Sequence, residues 1–248
     1  MAPERDRAVG FSVRIDLAWM EQAAALVSLG RSSDEVRASL HQIIGDARAS
    51  KPGKRKDSRT RTVNVISRVW VEPPDEMIGF RDRGVELLSQ SGTREHLALH
   101  WGMTMATYPF FASVCGSIGR LLKLQDRVTS RDVHRRVAEE YGDRPTVVRA
   151  TGVALGNCVE WGLLRTDTRR KSYWSDVRRE VGQDVATFLV EAALHASGVN
   201  NASLDSLLHA SALFPFRLPG LTAHDIDQSA GLQAMSLGGA EATVSLAR

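Results

Sequence analysis

A short break at residues 142–145 separates two helical patterns and limits how this part of the chain can fold. Thr129 followed by Asp132 is a helix-capping arrangement, and apolar residues then recur at helical spacing: Val133, Val137 and Tyr141. Gly142 is suited to end that helix. Pro145 is suited to the first turn of the next one, because its missing N–H costs nothing there. The pattern predicts two helices joined by a tight turn.

The second of these helices has two distinct sides. The side predicted to face the core carries Val148, Thr151, Leu155, Cys158 and Val159. The opposite side carries Thr146, Arg149, Val153, Gly156, Asn157 and Glu160. Arg149 and Asn157 are suited to bind DNA bases, although most arginine contacts to DNA go to phosphates. Gly152 and Gly156 each weaken the helix by about 1 kcal/mol relative to alanine, so we expect them to permit close packing against a neighbouring helix or, alternatively, close approach of a DNA backbone.

A predicted β-ribbon follows the two helices. Trp161-Gly162-Leu163-Leu164 leaves the helix for an extended segment, a basic turn occupies residues 166–171, and Tyr173 and Trp174 favour a return strand. Helix, turn, helix, strand, basic turn and strand follow one another as in a winged helix-turn-helix. Such a module inserts its second helix into the major groove and brings the ribbon to phosphates or the minor groove. Winged helices also mediate protein–protein contacts, so a helical interaction adaptor is an alternative.

A second basic region lies at residues 48–61, where Pro52 and Gly53 favour a loop. Ser58 can cap a helix that runs to Trp70, which would put Arg59 and Arg61 in its first turn. Cations are unfavourable at this end of a helix, because the helix dipole is positive there, unless an anion such as a phosphate binds beside them. The region therefore indicates either a phosphate-binding loop or a solvated charged loop.

The residues predicted to contact double-stranded DNA come from these two regions. They are Lys54, Arg55, Lys56, Arg59, Arg61, Arg131, Arg144, Thr146, Arg149, Arg165, Arg169, Arg170 and Lys171. The distribution of charge agrees with this prediction, since the net charge of +3 hides an asymmetry: after residue 180 there are six acids and two bases, which leaves +7 on the first 180 residues. A basic body with an acidic tail indicates a polyanionic partner.

Other function classes have little support in the sequence. No apolar run approaches the roughly 20 residues of a membrane helix, and charged residues 4–7 stand where a signal peptide would become apolar. We therefore expect a cytoplasmic, nucleoid-associated protein. No phosphate-cradling glycine loop, metal-ligand cluster or nucleophile arrangement is recognisable, so we expect no enzyme, cofactor or small-molecule substrate. Cys115 and Cys158 are predicted to be buried thiols, and His96 and His100 lack a third metal ligand nearby in sequence.

The fold class predicted for the whole chain is mainly α. Helices are predicted over residues 16–29, from a Ser32–Glu35 capping box onward, and in two short pieces near 75–81 and 83–90. We divide the chain into an N-terminal helix-turn-helix-like region with the basic loop (1–72), a helical core (73–125), the winged helix (126–180) and an acidic α/β extension with a helix and a β-hairpin (181–248).

Short stretches distributed over residues 9–175 also resemble a known family. They are Val9-Gly10-Phe11, Ser32-Ser33-Asp34-Glu35-Val36-Arg37, Ser58-Arg59-Thr60, Ala106-Thr107-Tyr108-Pro109-Phe110-Phe111, and Arg144-Pro145-Thr146-Val147-Val148-Arg149 leading to Trp161-Gly162-Leu163-Leu164. In these stretches the chain resembles the BrxA family, small DNA-binding proteins of BREX (bacteriophage exclusion) defence systems. The acidic extension after residue 180 lies outside the resemblance.

The resemblance implies a helical N-terminal part and a winged-helix part that bind duplex DNA without catalysis. It also implies partners among the other defence-system proteins: a methyltransferase, an ATPase and a phosphatase-like protein. The expected function is that of a non-catalytic DNA-binding accessory protein of phage defence. A winged-helix transcriptional regulator and a helical interaction adaptor remain the alternatives.

Overall fold

The computed structural model describes residues 9–49, 57–176, 178–236 and 242–247. The protein is mainly α-helical with a few small strands. The first helices are α1 (Leu17–Ser28), α2 (Ser33–Ala49) and α3 (Asp57–Ile66), and a π-helical turn over Ser67–Val71 continues α3.

Local capping interactions start the first two helices where the sequence predicts. Asp16 Oδ1 accepts a hydrogen bond from Ala18 N at 3.0 Å at the start of α1. The predicted capping box of α2 is present: Glu35 Oε2 accepts from Ser32 N at 2.9 Å, and Ser32 Oγ accepts from Glu35 N at 3.4 Å. The turn between the helices contains Gly30 at φ 68°, a left-handed conformation that glycine adopts easily.

The next helices form the centre of the molecule. They are α4 (Ile78–Gln90) after a 3₁₀ turn (Asp75–Met77), α5 (Thr93–Thr107) and α6 (Pro109–Leu122). The prediction of two short helices at 75–81 and 83–90 is wrong, because α4 continues without a break through residue 82. Gly84 serves packing here: a Cβ at this position would lie 3.0 Å from Phe188 and 3.2 Å from Trp70.

Two helices and three short strands follow α6. Their order is β1 (Val128–Thr129), α7 (Ser130–Tyr141), α8 (Pro145–Glu160), β2 (Arg165–Asp167) and β3 (Ser172–Trp174). The strands form one antiparallel sheet in the order β1–β3–β2, with Val128 opposite Tyr173 and Arg165 opposite Trp174. This sheet brings the chain entering α7 beside the ribbon that leaves α8.

The C-terminal part contains a longer helix and small strands. Its elements are β4 (Arg179–Glu180), α9 (Gln183–Ser197), β5 (Asn201–Ser203), α10 (Leu204–Leu208), a 3₁₀ turn (Ser211–Leu213), β6 (Phe216–Arg217), α11 (Ala223–Asp227), β7 (Leu232–Met235) and β8 (Thr243–Leu246). The predicted pairing of β7 with β8 is present, and β5 adds a third strand on the other side of β8.

One hydrophobic core joins all these parts. Fully buried Trp101 of α5 lies with its ring centroid 5.0 Å from that of Phe111, 6.2 Å from Trp161 and 6.0 Å from Phe214. Helix α9 packs along α5. The C-terminal extension is therefore built onto the same core as the helices that precede it.

Candidate nucleic-acid interface

Helices α7 and α8 are joined by a tight turn whose ends follow the sequence signals. Thr129 Oγ1 accepts from Asp132 N at 3.2 Å, and Asp132 Oδ2 accepts from Thr129 N at 3.1 Å. The hydrogen bond from the Thr129 side chain is the main cause that lowers the pKa of Asp132. Helix α7 ends at Gly142, whose φ of 80° favours glycine, and α8 begins at Pro145. The predicted cap and turn are confirmed.

The two faces of α8 differ in part from the prediction. Thr151, Leu155 and Cys158 are buried as predicted, but Val148 is 47% exposed. The buried face is centred instead on Val147, Ala150, Ala154 and Cys158, positions spaced three and four residues apart. Helix α8 is therefore rotated relative to the prediction, and Val148 joins Thr146, Arg149 and Gly152 on an exposed surface that we call the outer face of α8.

Asn157 does not lie on this outer face, so its prediction as a base-reading residue is wrong. Its side chain is fully buried. Asn157 Oδ1 accepts from Ile15 N at 2.9 Å, and its Nδ2 donates to Val13 O at 3.1 Å. The segment before α1 that includes residues 13–15, which we call the N-terminal segment, runs beside α8 here. Its buried backbone groups need hydrogen-bond partners. Asn157 supplies them.

The two glycines of α8 have different surroundings. A Cβ at Gly152 would meet nothing within 4 Å, so no packing contact with the described residues requires a glycine there. A Cβ at Gly156 would collide with the guanidinium of Arg14, which lies over this position and pairs with Glu160 at 2.9 Å. Gly156 therefore packs against the N-terminal segment, whereas the sequence predicted a neighbouring helix.

Arg14 is a surface residue that the sequence analysis missed. It is a single arginine in a non-helical stretch more than 140 positions before Gly156, and no spacing rule connects residues so far apart. A glycine in the middle of a helix was the available signal that something packs closely at position 156.

The β2–β3 ribbon ends in a well-formed turn, which we call the ribbon turn (residues 168–171). Asp167 Oδ1 accepts from the backbone N–H groups of Arg169 at 3.0 Å and Arg170 at 3.2 Å. Lys171 closes the turn in the left-handed conformation, with φ of 49°. The turn holds three consecutive cationic side chains at the end of the sheet.

The predicted cations of the ribbon differ in their acidic neighbours. Arg165 Nε pairs with Asp176 at 2.6 Å, and Arg170 Nε lies 3.9 Å from Asp167. Arg169 and Lys171 are exposed and make no ion pair with any of the residues that the structure describes. These two side chains can bind an external anion without leaving an acidic partner, whereas Arg165 would have to exchange Asp176 for it.

Arg131, Arg144 and Arg149 are exposed on the two-helix unit. Arg131 lies in the first turn of α7. Arg144 precedes α8, and its Nη2 donates to Tyr141 O at 3.1 Å, which ties it to the end of α7. Arg149 makes no ion pair within the described ranges and projects from the outer face of α8.

The second basic region is only partly described. Lys54, Arg55 and Lys56 lie outside the described residues. Arg61 is exposed, whereas Arg59 is half-buried with its guanidinium against Gly45 of α2. Helix α3 packs on α1, α2 and the π-helical turn. These arginines thus belong to the N-terminal helical unit.

His96 and His100, the two histidines four residues apart in α5, both contact one carboxylate. Glu21 of α1 lies 2.8 Å from His96 Nδ1 and 2.7 Å from His100 Nε2. The hydrogen bond with His100 lowers the pKa of Glu21, and burial lowers the pKa of His100. This contact joins α1 to α5. Among the described residues, no group of three or more His, Cys, Asp or Glu side chains is arranged to hold a metal ion.

Cys115 and Cys158 are both buried free thiols, as predicted. Burial raises the pKa of Cys115, and its neighbour Cys158 raises it further. A thiol held in its neutral form is a poor nucleophile. Within the described ranges, no helix combines the length and apolar character needed to cross a bilayer.

Comparison with other proteins adds no relative. No protein-family model matches the chain, and neither a curated protein nor a solved structure matches it.

Proposed function

We propose that this protein binds double-stranded DNA, without catalysis, through a winged helix-turn-helix formed by residues 128–174. The order of its elements is the one expected of that module: strand, helix, turn, helix and a two-stranded ribbon, with the first strand completing the sheet. Helix α8 is the proposed recognition helix and the β2–β3 ribbon is the proposed wing.

The observation that carries the proposal is the outer face of α8. Exposed Thr146, Val148 and Arg149 share it with Gly152, which has open space around it. A mid-helix glycine costs about 1 kcal/mol relative to alanine. With no use for it inside the described molecule, its most direct physical use is to let an external backbone come close to the helix.

The chemistry of this surface fits DNA. The major groove is wide enough to accept an α-helix, and the first turns of a recognition helix usually meet the base edges. Arg149 can bind a phosphate or a guanine, and Val148 can contact a thymine methyl group. Arg169 and Lys171 of the ribbon turn can bind phosphates.

We further propose that the DNA binding is largely independent of sequence and serves a BREX-type phage-defence system. The cations of the proposed surface outnumber its base-reading side chains, which favours phosphate binding. The biological setting rests on the resemblance to the BrxA family. Such a protein would associate with the nucleoid, and the other components of the defence system are its proposed protein partners.

An electrophoretic shift assay with a 30-base-pair duplex across a salt series tests the proposal. Log affinity should fall linearly with log salt, with a slope of about 0.9 for each phosphate contacted. Duplexes of unrelated sequence should bind with similar affinity. Absent binding at low salt, or binding that salt does not weaken, would overturn the proposal.

A transcriptional regulator is the second candidate, and the exposure of Val148 beside Arg149 favours it because both can contact base edges. Footprinting on the DNA upstream of the gene separates the two. A protected site of defined sequence supports the regulator, and uniform protection supports the accessory role.

A further inference from the structure

The N-terminal segment is fastened along the C-terminal half of α8 by buried hydrogen bonds. Asn157 accepts from Ile15 N at 2.9 Å and donates to Val13 O at 3.1 Å. Trp161 Nε1 donates to Ile15 O at 2.9 Å. Val13 and Ile15 are both buried in the core. The backbone position of the intervening residue, Arg14, is therefore fixed from both sides.

Arg14 points away from the core and over the surface of α8. Burial alternates along this segment, since Val13 and Ile15 are buried and Arg14 between them is exposed. Its guanidinium lies on Gly156, where any Cβ would collide with it, and its Nη1 is 2.9 Å from Glu160 Oε1. The side chain of Arg14 remains 46% exposed.

Arg14 also continues the outer face of α8. Arg149, Gly152, Gly156 and Glu160 follow one another at intervals of three or four residues, which places them in one row along the helix. Gly156 is seven residues beyond Arg149, about 10 Å along the helix axis. The guanidinium of Arg14 therefore lies on the same row of α8 as position 149, roughly two turns further along.

The ion pair with Glu160 is not what holds the segment in place. Both side chains are about half exposed, and ion pairs of that kind contribute little to stability. The three buried hydrogen bonds to Asn157 and Trp161 already fix the backbone. A charged group that is positioned by others and left half exposed is available to a ligand.

We propose that Arg14 is a phosphate-binding residue of the DNA surface, positioned by Asn157 and seated on Gly156, and that Glu160 competes with phosphate for its guanidinium. This inference rests on the proposed function. It extends the DNA surface from α8 and the ribbon turn to the N-terminal segment. It also assigns Gly156 the role of making room for an arginine supplied by a distant part of the chain.

Affinity for the 30-base-pair duplex across a salt series tests the inference. Arg14→Ala should weaken binding about fivefold at 0.15 M salt and reduce the salt slope by about 0.9, as expected for one lost phosphate contact. Arg31→Ala is the matched control, because Arg31 pairs with Glu35 at 3.4 Å with similar exposure of 57% and 56%. Arg31 lies at the far end of α1, and its loss should change affinity less than twofold.

Two further variants separate a binding role from a structural one. The three atoms nearest to a Cβ at position 156 all belong to the flexible end of Arg14. Gly156→Ala should therefore displace that guanidinium and reproduce the loss of affinity while thermal melting shows the fold intact. Glu160→Gln frees the guanidinium and should strengthen binding by about two- to fivefold, the range expected for an exposed ion pair. The gain in affinity from Glu160→Gln should be clearly smaller when Arg14 is already alanine, because most of that gain comes from releasing the Arg14 guanidinium.

The outcomes distinguish this inference from the function on which it rests. If the wild-type protein binds DNA and Arg149→Glu weakens it, but Arg14→Ala and Gly156→Ala bind like wild type, the inference about Arg14 is wrong and the proposed function stands. An equal gain from Glu160→Gln in both backgrounds also contradicts it. If the wild-type protein does not bind the duplex at low salt, both fail.

Discussion

The two halves of α8 present different surfaces, although each contains one glycine and polar residues among apolar ones. The first half, residues 145–152, leaves Thr146, Val148, Arg149 and Gly152 uncovered. In the second half, residues 153–160, Asn157 is buried and Gly156 lies beneath Arg14. The difference comes from the N-terminal segment, which covers one half of the helix only. A polar residue at helical spacing can therefore mark an open binding surface or a contact with a distant segment of the same chain.

The largest effect should come from removing Asn157, which holds the N-terminal segment against the second half of α8. Asn157→Ala leaves the N–H of Ile15 and the carbonyl of Val13 without their buried partner, which should lower the free energy of unfolding by about 3 kcal/mol. Urea denaturation measures this. Asn64→Ala is the control, since Asn64 is exposed and accepts from Arg37 Nη2 at 2.8 Å. Wild-type stability in Asn157→Ala would mean that the two halves do not differ as described.

Reversal of charge on the exposed first half of α8, residues 145–152, should produce the next largest effect. Arg149→Glu removes one proposed phosphate contact and adds repulsion, so duplex affinity at 0.15 M salt should fall by roughly thirtyfold. The fold should remain stable because the side chain is exposed. Arg31→Glu, a reversal at the α1–α2 turn, is the control and should have a much smaller effect. Equal losses in the two variants would indicate a general charge effect without a defined face.

The β2–β3 ribbon allows a comparison between a cation in the turn, which has no ion pair among the described residues, and a paired cation in β2. Arg169→Ala should weaken duplex binding about fivefold at 0.15 M salt, whereas Arg165→Ala should weaken it less, because Asp176 competes with phosphate for its guanidinium. The shift assay under identical salt conditions measures both. A larger loss for Arg165 than for Arg169 would contradict the assignment of the ribbon turn as the binding part.

Gly152→Ala should give a smaller effect: it should raise the stability of the fold and lower the affinity for DNA. The added methyl group meets open space, so alanine should stabilise α8 by about 1 kcal/mol through helix propensity. The same methyl group should hinder close approach of DNA and weaken binding. Urea denaturation and the shift assay separate the two effects. Greater stability without weaker binding would remove the main argument for contact at this half of the helix.

Local signals were sufficient to predict much of the secondary structure. The Ser32–Glu35 and Thr129–Asp132 capping boxes, Gly142 and Pro145 set helix ends through contacts within three or four residues, and those ends are found as predicted. The pairing of β7 with β8 was predictable for the same reason: its strands are close in sequence.

Features that depend on distant residues were not predictable from local patterns. Val148 was predicted to be buried because it lies at an apolar position, but packing turned α8 so that Val147 is buried instead. The partners of Asn157 and Gly156 come from residues 13–15, which periodicity in residues 145–160 does not reveal. The pairing of Arg165 with Asp176 likewise depends on how the ribbon folds back.

Site-specific photocrosslinking tests the central claim most directly, because it reports which surface touches DNA. A photoreactive phenylalanine analogue at Val148 can be compared with the same group at Val199, since these valines are 47% and 50% exposed and only Val148 lies on α8. With both variants saturated by labelled duplex, we predict a strong crosslink from position 148 and little from position 199. An equal or stronger crosslink from position 199, with DNA bound, would contradict the account.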